Sequence, residues 1–241
     1  MYRLILIGLS SFVILVTSDV PSFITPCKRD QPVDDFNSCI LEQAKIALPH
    51  FVKGVPEFNI DPIDPLAIDD FNVKTGSLAL KHKNVVLEGL NTMEFRELKW
   101  DFQKMTGLLR VFGNLTMNSD YEIDGRILVL PITGTGKLSV RMDNTEIIMK
   151  YKLKIAPGSD GVEHIASYDL KAKQTYDHVK FKMTSDLGQN LLITTVNQVM
   201  NDNWRDLMKE FGPPHIKAIS ARVSHIINTL YSQVPADQLI P

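Results

Sequence analysis

The sequence predicts an α+β protein: a short amphipathic helix, a long meandering antiparallel sheet, then long C-terminal helices. Three observations predict it. Apolar residues recur at a spacing of three to four near the N-terminus and again beyond about residue 190, whereas from about Asp70 to Ser185 they alternate. The alternating segments are apolar on one face and rich in lysine on the other, as in antiparallel sheets that cover a core on one side only. No shift in composition divides the chain, so residues 19–241 read as a single domain.

Residues 1–18 read as a secretory signal peptide. Arg3 precedes an apolar run from Leu4 to Val16, and Val16-Thr17-Ser18 offers small residues for cleavage. The run is interrupted by Gly8, Ser10 and Ser11 and is short for a membrane span; a retained anchor is the alternative. The mature chain is therefore expected to be secreted, with no integral membrane segment. In an oxidising compartment Cys27 and Cys39 are expected to close one disulfide loop, two free thiols being the alternative. Asp34 or Asp35 caps a helix through Phe36, Ile40, Leu41, Ala44 and Leu48, which Pro49 should end. Pro56, Pro62 and Pro65 then mark an extended connector.

The clearest strand places Ile147, Met149, Tyr151, Leu153 and Ile155 on one face, with Ile148, Lys150, Lys152 and Lys154 on the other. Before it, Leu138, Val140 and Met142 oppose Lys137, Ser139 and Arg141. Leu109, Val111, Leu115 and Met117 share another face, and Val179, Phe181 and Met183 alternate with Lys180 and Lys182. Asn114 lies opposite Leu115, so the sequon Asn114-Leu115-Thr116 falls on the solvent face and Asn114 is a candidate glycosylation site. The C-terminal stripe runs through Leu192, Val196, Val199, Met200, Trp204, Leu207, Met208 and Phe211 to an expected break at Gly212-Pro213-Pro214. A second helix carries Ile216, Ile219, Val223, Ile226, Ile227 and Leu230 and ends before Pro235. This helical pair is the natural filling for a twisted sheet to curl around, and such a layout buries a core with or without a cavity.

Chemistry is sparse. Net charge is −2, from 26 basic and 28 acidic residues, so no basic excess argues for nucleic acid. Two cysteines and six scattered histidines give no metal-ligand spacing, and no nucleophile elbow or other catalytic motif occurs; neither enzyme activity, cofactor nor metal is expected. Gly134-Thr135-Gly136-Lys137 resembles part of a phosphate loop, but Pro131 stands where that pattern needs glycine, and a hairpin turn is the better reading. His164 and His178 read as ordinary sheet residues on neighbouring strands, and Asp61 and Asp64 as turn caps. Tyr151 is the exception on an apolar face. Its hydroxyl needs either a helix carbonyl or buried water, or it is the polar handle of a lipophilic pocket. The candidate lining of such a pocket is Tyr151 with Met117, Val140, Met142, Ile147, Met149, Leu153, Phe181 and Met183; plain core filling is the alternative.

Several segments in order resemble the takeout and juvenile-hormone-binding-protein family of insects, the takeout branch most. They are Val20-Pro21-Ser22-Phe23, Pro26-Cys27, Cys39, Lys53-Gly54-Val55-Pro56 and Asp61-Pro62-Ile63-Asp64-Pro65-Leu66. In the sheet they are Tyr121-Glu122-Ile123-Asp124-Gly125-Arg126-Ile127-Leu128, Leu130-Pro131-Ile132 and Gly134-Thr135-Gly136; later come Asn201-Asp202-Asn203-Trp204-Arg205-Asp206-Leu207 and Val234-Pro235. The resemblance implies a strongly curved antiparallel sheet wrapped around a long C-terminal helix, a tubular lipid-binding type of fold with an internal hydrophobic tunnel. It implies secretion into haemolymph or another extracellular fluid, one N-terminal disulfide and a terpenoid, fatty-acyl or hormone-like ligand. Hormone carriers of the family have a second disulfide for which this chain lacks cysteines, which argues against juvenile hormone itself. Tyr151 resembles the tyrosine that meets the polar end of the hormone in those carriers. The functional expectation is a non-catalytic carrier of a lipophilic molecule; the alternative is a protein-interaction or signalling protein whose apolar interior is only a core.

Overall fold

The computed structural model describes residues 20–128, 130–188 and 191–241. The segment read as a signal peptide lies outside the described residues. Helix α1 spans Val33–Lys53, with Asp34 and Asp35 in its first turn, where free N–H groups favour negative charge. It passes through Pro49 instead of ending there. Proline forfeits one helical hydrogen bond, but the turn beyond is held: the Gly54 and Ile63 N–H groups donate to the Phe51 carbonyl at 3.0 and 3.2 Å, and Phe51 packs on the core. The disulfide Cys27–Cys39 ties the N-terminal segment to α1.

The connector contains a 3₁₀ turn at Pro56–Phe58. Eight strands follow: β1 (Leu66–Ile68), β2 (Phe71–Thr75), β3 (Leu78–Glu88), β4 (Glu94–Asp101), β5 (Thr106–Ile127), β6 (Leu130–Pro157), β7 (Glu163–Thr175) and β8 (His178–Ser185). They form one antiparallel sheet whose spine is the β5–β6 pair. The spine strands are long enough to take two neighbours each, end to end. β4 and β3 share the outer edge of β5, and β7 and β8 share the outer edge of β6. β1 and β2 complete the sheet beyond β3.

Bulges let strands this long keep one face inward while the sheet bends. In the middle of β6 the buried positions include Leu138, Val140 and Met142, then Thr145, Ile147 and Met149. The register slips between them, and Asn144, with φ of 49°, takes up the extra residue. Asn84 (φ 50°) and Asp169 (φ 51°) stand at the equivalent slips in β3 and β7. Asn and Asp tolerate the left-handed conformation best among side-chain-bearing residues, and a bulge bends a strand and increases its twist. Gly134-Thr135-Gly136 is not a turn: it lies within β6, paired with β5, and the hairpin falls between Ile127 and Leu130. His164 and His178 sit on β7 and β8, which flank different stretches of β6, so they are not neighbours. Asp64 does cap a turn, accepting the Gly89 and Asn91 N–H groups at 3.1 and 2.8 Å.

Three helices close the chain: α2 (Leu191–Asp202), α3 (Trp204–Tyr231) and α4 (Ala236–Leu239). The break between α2 and α3 falls at Asn203, and Pro213-Pro214 lie inside α3. The carbonyls they leave unpaired belong to Lys209 and Glu210, both exposed, so water can serve them. The buried stripe takes Ile193, not Leu192, which is 45% exposed. α3 touches β1 and β2 at one edge of the sheet and β7 and β8 at the other, so the sheet wraps around it. Asparagines seal the open edges. Asn201 and Asn197 of α2 each exchange two hydrogen bonds with the backbone of β8, at Phe181 and Met183, and Asn228 of α3 does the same at Ser167 of β7. An amide side chain mimics a strand's donor and acceptor, so each edge is covered where it meets a helix.

Candidate functional site: an internal apolar cavity

Tyr151 of β6 stands directly across from Gly107 of β5, and a Cβ at position 107 would fall inside its ring. The glycine thus leaves room for the ring to lie against the β5 backbone. Trp100 Nε1 donates to Tyr151 Oη at 2.9 Å, and the Trp100 backbone N–H donates to Asn37 Oδ1 of α1 at 2.9 Å. The phenol oxygen therefore accepts from an indole, and among the described residues no helix carbonyl takes its proton. Tyr231 packs edge-on to Trp100, with ring centroids 6.1 Å apart. Burial pushes the Tyr151 hydroxyl up to about 12, with the Trp100 hydrogen bond opposing it, and pushes Tyr231 up as well. Both phenols stay neutral at physiological pH. Among the described residues no acceptor takes Tyr151's own proton, which remains available to a guest.

This cluster lies at the wall of an internal cavity of about 290 Å³. α1 contributes Ile40, Ala44, Ala47 and Leu48, the sheet Leu109, Val111, Ile147 and Met149, and α3 Ile216, Ile219, Val223 and Ile226. Among the described residues no charged side chain lines it. Its polar groups include Gln43, which the Thr25 N–H occupies at 2.7 Å, and Tyr151, Tyr231, Ser167, Ser220 and Ser224. A mostly aliphatic space with a few polar points is suited to holding an apolar molecule in one orientation.

Of the residues predicted to line a pocket, Ile147, Met149 and Tyr151 line this cavity. Met117, Val140, Met142, Phe181 and Met183 are buried in the core at the α2 end of the sheet, and Leu153 joins a second cluster with Cys27, Phe36 and Trp100. Asn114 is exposed, and its Oδ1 accepts the Asn144 N–H at 2.8 Å. Sequence reasoning missed Trp100 and the whole α1 wall. In β4 a bulge between Phe95 and Glu97 hides the alternation that would have marked Trp100, and the α1 stripe read only as a core face.

A sequence profile described as haemolymph juvenile hormone binding protein (JHBP) matches residues 4–241. The chain belongs to this family. The circadian clock-controlled protein daywake of Drosophila melanogaster is 25% identical to it over 98% of this chain and 95% of its own. A juvenile hormone-binding protein of Manduca sexta is 24% identical over 62% of this chain and 63% of its own. The crystal structure of Epiphyas postvittana Takeout 1 superposes with a TM-score of 0.80 at 27% identity, over 89% of this chain and 98% of its own. The wrapped sheet and its C-terminal helix are thus those of a takeout-like member of the JHBP family. No described helix is long and apolar enough to cross a membrane.

Proposed function

We propose that this JHBP-family member is a secreted, single-domain carrier for one lipophilic small molecule, which it holds in the internal cavity and releases unchanged. The observation that carries the reading is the uncharged, largely aliphatic cavity walled by α1, the sheet and α3. A guest with fifteen buried carbons gains about 12 kcal/mol gross at about 0.8 kcal/mol per CH₂. Lost freedom on binding reduces this to the micromolar to nanomolar range. The family's haemolymph association and the leader pattern of residues 1–18 support secretion. Asn114 is exposed with its Oδ1 engaged, so its Nδ2 is free to carry a glycan.

The test is secretion of the full chain from insect cells, organic extraction and mass spectrometry of the extract. A stoichiometric apolar compound is expected, on a protein whose N-terminus is Asp19. An empty extract together with no binding of a fluorescent fatty-acid probe would mean that the interior is only a core.

A further inference from the structure

Between two joints, the free edge of β7 and α3 stand apart. At one end Asn228 Oδ1 accepts the Ser167 N–H at 2.8 Å; at the other Gln174 Nε2 donates to the Gly212 carbonyl at 3.2 Å. The stretch between opens as a groove of about 1140 Å³. Leu170, Ile216, Ser220 and Ser224 line both the groove and the internal cavity, so the two spaces adjoin there. At that junction Ser220 is only 2% exposed, yet among the described residues its Oγ has no hydrogen-bond partner. On the groove wall the Tyr176 hydroxyl is likewise buried without a partner. Buried hydroxyls are rarely left unpaired, and each asks for an explanation.

The groove is also basic, in a chain whose net charge is −2. Among the described residues Lys171, Lys173, Arg205 and Lys217 line it without a carboxylate in ion-pair contact, while Lys209 is held by Asp206 at 3.2 Å. The one carboxylate of the lining among the described residues, Asp169, is taken by Lys152 at 2.9 Å. The cavity's 290 Å³ sits at the small end of ligand pockets, about 300–1,000 Å³, so a chain that outgrows it has this junction as an outlet.

We infer that the β7–α3 groove is a side opening of the cavity and seats the anionic end of a single-chain amphiphile whose tail occupies the cavity. This rests on the carrier reading and adds the position and chemistry of the ligand's polar end. Ser220, at the junction, donates to an oxygen of that end, and the lysine rim neutralises it. The Tyr176 hydroxyl lies beside Gly212 at the far joint, away from Ser220, and burial holds it above its ordinary range.

The test uses cis-parinaric acid and its methyl ester, two fluorescent probes with the same chain, titrated at pH 8, where the acid is ionised. The wild type is expected to bind the acid at least fivefold more tightly than the ester, with the preference shrinking at high salt. In the variant Ser220→Ala the preference should fall at least twofold, because a hydroxyl bonds a carboxylate more strongly than an ester carbonyl. The melting temperature of that variant should not drop, because among the described residues the Ser220 hydroxyl has no internal partner to lose. Ala221→Trp, an exposed position on the groove wall, should slow uptake of both probes. Equal binding of acid and ester by the wild type, or a ratio unchanged in Ser220→Ala, overturns the side opening and leaves the carrier standing. Failure of both probes to bind overturns the carrier reading itself.

Discussion

Trp100 and Tyr151 share one hydrogen bond whose direction is fixed by chemistry: indole only donates, so the phenol oxygen must accept. Tyr151→Phe therefore strands a buried N–H and removes the proton offered to the cavity. The variant should lose about 1 kcal/mol of stability in urea unfolding. A ligand with an oxygen at that end should bind about 1 kcal/mol more weakly, and an apolar ligand of equal length should be unaffected. Equal affinity for both ligands would remove Tyr151 from the site. The ring's position depends on Gly107, so Gly107→Ala should cost about 1–3 kcal/mol by overpacking. In a Tyr151→Ala background the same change should cost little, and a double-mutant cycle reads the coupling. Tyr121 repeats the pairing elsewhere on the spine: it faces Gly136 across the same strand pair and donates to the Thr184 carbonyl at 3.0 Å.

Strand bulges decide which face of each long strand meets the core. At Asn144, whose φ is 49°, Asn144→Ala should lose about 1–2 kcal/mol, while Asn144→Gly should be close to neutral by urea midpoint. Equal losses for both would mean that the side chain, not the backbone, matters there. The strand faces were legible in sequence because one side is covered: Leu138 to Met142 and Ile147 to Leu153 read correctly on either side of the slip. Helix limits were less legible. Pro49 and Pro213-Pro214 read as stops by local rules, but tertiary contacts at Phe51 and the exposed positions of Lys209 and Glu210 make proline tolerable there. The cavity was least legible of all. Phe181 and Met183 have the same character as Ile147 and Met149, yet α2 covers the strand of the first pair and a gap beside α1 and α3 faces the second. That difference depends on where helices lie over the sheet, which no strand pattern encodes.

One polar chain runs through the apolar interior and joins the sheet to α3. Ser119 Oγ lies 3.0 Å from His82 Nδ1, the Nε2 atoms of His82 and His215 are 3.0 Å apart, and His215 Nδ1 is 2.6 Å from the Phe211 carbonyl. The carbonyl can only accept, so His215 donates from Nδ1 and its bare Nε2 accepts from His82. His82 Nδ1 then accepts from Ser119. A proton added at His215 Nε2 would face the proton on His82 and break the link. Burial, and next the neighbouring His215, lower His82 to about 3; burial lowers His215 against the pull of the Phe211 carbonyl. Both groups therefore bind protons more readily unfolded than folded, and stability falls as pH drops below the unfolded value of about 6.5. The slope approaches about 1.4 kcal/mol per pH unit for each histidine. His164 acts with the opposite sign. Burial lowers it, but Asp160 and the Val234 and Tyr231 carbonyls together raise it, so its contribution is complete below about 6.5 and fades only as pH rises through its folded value. The lowered carboxylates of Asp120, Asp160 and Asp169 matter only below about pH 5. From pH 6 to 5 the histidine pair is therefore the main titrating term. The urea midpoint of the wild type should fall across that window, and in the double variant His82→Leu, His215→Leu it should stay level. A wild-type midpoint that is itself level from pH 6 to 5 would mean that the pair is protonated without opening the contact between sheet and helix.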